Sequence, residues 1–146
     1  MRLSSMADYA VVAMRAASLH CGGQRTNASE IADETGLPLP TVQKLVSRLS
    51  AAGLLRSVRG AGGGFRLARP AAAITVADIV EAVEGPIAMT ACTDGHTDCA
   101  IEQNCAARPH WPQVNRAIRG ALNGITLAAL AEEPAPRNIA SEEVSA

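Results

Sequence analysis

Three cysteines fall within fourteen residues, in the run Cys92-TDGHTD-Cys99-AIEQN-Cys105. Six and five residues separate them, so none forms the C-x₂₋₄-C knuckle on which structural zinc sites are usually built. Thiolates are soft ligands that suit iron–sulfur clusters or zinc. Clusters are normally held by four thiolates, with histidine replacing cysteine in some two-iron centres. Three cysteines therefore leave one position open or filled by another side chain. Asp94, His96, Asp98 and His110 are the local candidates, while Arg108 could tune a cluster but cannot ligate it. An incomplete thiolate set should hold a cluster weakly, which suits a sensor better than an electron carrier. The competing readings are a zinc staple and a thiol redox switch. Cys21 lies far from this loop in sequence and reads as a small buried residue.

A second feature is the run Arg59-Gly60-Ala61-Gly62-Gly63-Gly64, set between the strand-like segments LLRSV and FRLAR. As a nucleotide phosphate loop it fails on context: no GK[ST] is present and no helix follows the glycines. Glycines at this density suit a hairpin turn that passes close to another backbone. Arg56, Arg59 and Arg66 surround it.

The elements that must position these features read as mostly α with a small β-hairpin wing. Leu3, Met6, Ala7, Ala10, Val11, Met14 and Ala17 predict a first helix from about Ser4 to Leu19, ended by Gly22 and Gly23. A second helix opens near Asn27 or Ala28 and stops at Gly36. A third runs from about Pro40 to Ala52, with Val42, Leu45, Val46 and Leu49 as its buried stripe. Thr41, Gln43, Lys44, Ser47 and Arg48 lie off that stripe. Two helices joined by a Gly-containing turn, the second with a polar and basic face, make a helix-turn-helix. The hairpin that follows completes a winged helix-turn-helix. Thr75-Val-Ala-Asp78 starts a further helix that Gly85-Pro86 ends. Residues 86–110 read as irregular. Pro112 opens a long C-terminal helix whose Trp111, Ile118 and Ile125 stand seven apart, with Val114 and Ala121 between them; this seam suits dimerisation.

Composition narrows the function. The 146 residues carry 13 basic and 14 acidic side chains, a net charge of −1. Residues 1–70 hold nine basic against four acidic, or +5, and residues 71–146 hold four against ten, or −6. One half can face phosphate while the other keeps the molecule soluble. Aromatics make up only 2%, which excludes single-strand modules that stack bases on aromatic platforms. No apolar run is long enough to span a membrane and no signal peptide is evident, so a cytoplasmic location is expected. No Ser/His/Asp order and no H-E-x-x-H appears, so an enzyme is not expected. The organisation reads as a DNA-binding domain over 1–70, a sensor and dimerisation region over 71–131, and a disordered Ala/Glu/Pro/Ser tail over 132–146.

In order, the chain shows MRLSxxxDYA, a helix-turn-helix, the wing SVRGAGGGFRLARP, ITVADIVEAVEGP, and three cysteines before a final helix. Over about residues 1–130 this resembles the Rrf-two family of winged-helix transcription regulators. That family includes the IscR-type cluster-biogenesis regulators and the NsrR-type nitric-oxide sensors. The stretches EGPIAMTAC and CAARPHW most resemble the branch that regulates the SUF iron–sulfur assembly system. The resemblance implies a homodimer on a palindromic double-stranded operator, with an iron–sulfur cluster (2Fe–2S or 4Fe–4S) on Cys92, Cys99 and Cys105. Arg108 stands where the IscR type has a histidine ligand. The NsrR type uses an aspartate of the first helix, donated by the other subunit; Asp8 occupies that stretch here and is the expected fourth ligand, with His110 and His96 behind it. Thr41 and Gln43 are expected at bases, Lys44 and Arg48 at phosphates, and Arg59 at phosphate or in the minor groove. The implied function is repression of iron–sulfur assembly genes, with cluster state controlling operator affinity. The alternatives are a zinc-stapled interaction module and a nitric-oxide or redox-sensing repressor of other genes.

Overall fold

The fold is built around an alanine-lined helix. In the computed structural model, which describes residues 2–20, 24–60, 62–95 and 98–132, α1 spans Ser5–Leu19. The Ser4 hydroxyl accepts the Ala7 N–H and caps it. Ala7, Ala10, Met14 and Ala17 form its inner face, while Leu3 stays outside the helix and 52% exposed. Small side chains let neighbouring helices approach α1 closely. α2 (Ala28–Thr35) opens on a capping box between Asn27 and Glu30 and closes on Gly36 in the left-handed conformation. α3 (Leu39–Ala51) places Pro40 in its first turn and buries Val42, Leu45 and Leu49.

Two short strands follow, β1 (Leu55–Ser57) and β2 (Phe65–Leu67), paired antiparallel with Leu55 opposite Leu67, Arg56 opposite Arg66 and Ser57 opposite Phe65. A third partner joins them. Thr26, in the connection from α1 to α2, exchanges both backbone hydrogen bonds with Phe65, at 3.0 and 2.8 Å. The close backbone approach expected of the glycines occurs here: a Cβ on Gly64 would lie 2.4 Å from the Thr26 carbonyl oxygen, and Gly64 has φ +137°.

α4 (Val76–Glu84) starts on the Thr75–Asp78 capping box and packs Val76, Ile79, Val80 and Val83 onto α1 and α3. The charge boundary at Pro70 is therefore no boundary in packing: one core runs from Ala7 through Ile79 to Leu127. Residues 86–110 form short turns of 3₁₀ helix at Ala91–Thr93, Glu102–Asn104 and Arg108–His110.

The C-terminal helix differs from expectation. It ends at Asn123 as α5 (Trp111–Asn123), and a short α6 (Leu127–Ala131) follows. The cause is a backbone bridge: the Val76 N–H donates to the Ile125 carbonyl and the Leu127 N–H to the Ile74 carbonyl, at 2.9 and 2.7 Å. Gly124 weakens the helix at that point, and the bridge commits residues 125–127 to extended pairing. α6 then folds back onto α1, with Leu127 fully buried and the Leu130 carbonyl accepting from Arg15 Nε at 2.7 Å. Trp111 and Ile118 remain on α5, whereas Ile125 lies beyond it, so the heptad seam is interrupted. α5 itself buries no residue, and Val114 is 39% and Ile125 45% exposed. The expected tail lies outside the described residues, apart from the exposed Glu132.

Candidate nucleic-acid interface and cysteine loop

The N-terminal turn of α3 presents Thr41, Gln43 and Lys44. Gln43 and Lys44 are exposed and Thr41 is half-buried. Pro38 gives this helix no side-chain cap, so its first backbone N–H groups face outward unpaired by a side chain. Arg48 lies two turns further on. Its Nη1 donates to the Val83 carbonyl at 2.9 Å, so that arm of the guanidinium ties α3 to the last turn of α4. The exposed face of Arg48 is what remains for a phosphate.

At the wing, Arg59 is exposed at the start of the glycine turn. A residue that sequence reasoning missed lies beside it. The guanidinium nitrogens of Arg25 sit 3.5 Å from where side chains at Gly60 and Gly62 would begin, and its stem lies against Gly64. Those glycines leave room for Arg25, which brings a second cationic group to the wing. The bridge at Thr26 puts Arg25 there, and no local pattern announces a pairing of a loop with a strand 39 residues later.

The cysteine loop is held at its start and open beyond it. The Ile87 N–H donates to Glu81, while the Asn115 side-chain amide accepts from the Met89 N–H and donates to the Ile87 carbonyl. Glu81 also receives Arg119 on both carboxylate oxygens, at 3.0 and 3.2 Å. This pairing holds the Glu81 carboxyl below its ordinary value and raises Arg119, with burial opposing the effect on each. Ser4 donates to Glu84 one turn along α4. Asn115 and Glu81 were not singled out in the sequence, because their partners are backbone groups supplied by the fold.

Cys92, Cys99 and Cys105 are free thiols, each half-buried. Cys92 shares a hydrogen bond with the Thr90 hydroxyl at 3.0 Å. Arg108 pairs with Glu102 at 2.8 Å. Asp98 and His110 are exposed, and so is Asp8, in the first turn of α1. His96 and Cys21 lie outside the described residues. Among the described residues, no group of three or more His, Cys, Asp and Glu side chains stands close enough to share a metal ion. The described residues therefore present the three thiols on one loop without gathering them, and Asp8 is exposed on α1. The donor set remains chemically suited to a soft metal centre.

Residues 3–133 match the family model Rrf2, described as an iron-dependent transcriptional regulator. The chain is 38% identical to the HTH-type transcriptional regulator IscR of Photobacterium profundum over 130 residues, covering 89% of this chain and 75% of that one. Against IscR of Vibrio cholerae it is 36% identical over the same shares. Among solved structures, CymR of B. subtilis, the global cysteine regulator, superposes with a TM-score of 0.70 at 30% identity, covering 90% of this chain and 96% of that one. IscR of T. potens gives 0.66 at 32%, covering 89% and 85%. These relatives are regulators, not enzymes, and no helix among the described residues is long and apolar enough to cross a membrane. With its winged helix, its match over nearly the whole chain and its IscR-named relatives, this chain belongs to the Rrf2 family of DNA-binding transcriptional regulators.

Proposed function

We propose that this protein is a cytoplasmic, homodimeric repressor of iron–sulfur assembly genes whose operator affinity follows the state of an iron–sulfur cluster. The observation that carries the reading is the set of three free, half-buried thiols on one loop, in a chain whose family is described as iron-dependent. Cys92, Cys99 and Cys105 would hold the cluster, with Asp8 of the partner subunit as fourth ligand. Asp8 fits that part because it faces solvent on α1 and serves no ligand set of its own protomer. When bound, the cluster supplies an iron- and redox-sensitive cross-link.

The chain's own residues supply the rest. Glu81, Asn115 and Ile87 fasten the start of the cysteine loop to α4 and α5. Arg48 fastens the reading helix to the same end of α4. The loop and the reading helix thus share one anchor, and a loop drawn together differs from an open one at the point where α3 is held. Thr41 and Gln43 would read base edges, Lys44 and the free face of Arg48 would meet phosphate, and Arg59 would enter at the wing. On α5, Trp111 and Ile118 are half-buried and Val114 is exposed, which leaves apolar surface for a second copy.

Anaerobic purification tests the cluster. Brown protein with iron and acid-labile sulfide is expected, and colourless protein with stoichiometric zinc would overturn the reading. Asp8→Ala should shorten cluster lifetime while leaving the cluster-free fold intact. Operator affinity should differ between cluster-bound and cluster-free protein; equal affinities would remove the sensing role.

A further inference from the structure

On the wing, away from the glycine turn, the register of β1 and β2 places Arg56 directly opposite Arg66. Like charges facing each other across an antiparallel pair repel and weaken the hairpin. Three other exposed arginines are matched, Arg119 with Glu81, Arg108 with Glu102 and Arg69 with Asp78, whereas Arg56 and Arg66 stand face to face. Among the described residues, neither the Arg56 nor the Arg66 side chain makes a hydrogen bond or an ion pair. Both line a groove of about 320 Å³ between the hairpin and the C-terminal end of α1, together with Arg69, Gln24 and His20. Among the described residues no carboxylate lines it; Asp78 reaches Arg69 at 3.7 Å, and Glu34 engages His20 from α2.

We propose that this groove is a phosphate-binding site, with Arg56 and Arg66 as its paired ligands. The planar fork of a guanidinium matches phosphate oxygens two at a time, and an oxyanion between two such forks turns their repulsion into shared attraction. The phosphate is either a diester of the operator backbone running past the wing or a free phosphate. Only the first source rests on the DNA-binding role, and neither depends on the cluster.

Two measurements on the full chain and on R56Q/R66Q test the site. In the first, DNA-free protein is melted with a few millimolar inorganic phosphate against chloride at matched ionic strength, where general salting effects are small. A free-phosphate site raises the wild-type midpoint and leaves the variant unmoved, although the variant starts higher because its repulsion is gone. In the second, binding to an operator duplex is followed against salt. A backbone site makes the variant's log–log slope shallower by about 1.8, for two phosphate contacts at roughly 0.9 each. Either response supports the site and identifies its source. A wild-type midpoint indifferent to phosphate, together with an unchanged salt slope, would overturn it.

Discussion

In the helical core that carries the reading head, Met14, Val42, Leu45, Ile74 and Ile79 are wholly buried, and α1, α3 and α4 pack on one another. Between Pro86 and His110 no described residue is buried, and the backbone advances in single turns of 3₁₀ helix. The head is held by a continuous apolar core. The loop lacks one, and under the proposed function the metal centre held by its thiols would supply its order. The difference assigns roles. Under the proposed function, the head presents a fixed surface to DNA and the loop has two states.

Core truncation should separate the two regions most sharply. Leu45→Ala should cost about 2–5 kcal/mol in urea denaturation, since Leu45 is fully buried beneath the reading helix. Cys99→Ser, measured on cluster-free protein, should stay within about 0.5 kcal/mol of wild type, as for a site without packing. Comparable losses in the two variants would break the contrast.

Glycines sharpen it next. Gly64→Ala meets both a positive φ and the Thr26 carbonyl, so strain of about 1–3 kcal/mol is expected, with detachment of the wing from Thr26 and weaker operator binding. Gly95, in the cysteine loop, also has a positive φ, of +75°, but no described residue lies within 4 Å of where its Cβ would stand. Gly95→Ala should therefore cost only the conformational part, about 1–2 kcal/mol, and leave operator binding by cluster-free protein unchanged. Equal binding losses would mean that the loop belongs to the DNA surface.

Caps come third, and they show what the sequence made legible. The Asn27–Glu30 and Thr75–Asp78 boxes close within four residues, so their chemistry is written locally; Thr75→Ala should cost about 1 kcal/mol in thermal unfolding. The helix-turn-helix, the wing and the clustered cysteines were readable on the same ground. The break at Gly124 was not, because residues 74–76 decide it from fifty positions away. Arg48 was expected at phosphate before α4 supplied the Val83 carbonyl, and no sequence signal marked Arg25, which the Thr26 bridge brings to the wing. Arg56 and Arg66 were visible as a cluster, but only the strand register sets them face to face. In the loop, spacing named the thiols, but the described residues do not bring them together.

The smallest effect lies at the joint between the two regions. Glu81 belongs to the head by its helix and to the loop by the Ile87 N–H that it accepts. Its carboxyl sits below the ordinary value of 4.5, first because Arg119 hydrogen-bonds to the charged form. A carboxyl depressed in the folded state contributes stability that is full above the unfolded value and is lost as pH falls through the folded one. The wild type should therefore exceed Glu81→Gln in stability at neutral pH, and the difference should shrink as pH drops below about 4.5. Other carboxylates titrate in both proteins and cancel in the difference. Arg119 is exposed and screened by solvent, which keeps the effect below those of the caps. A difference constant from neutral to acid pH would show that Glu81 acts through its shape at the joint and not through its charge.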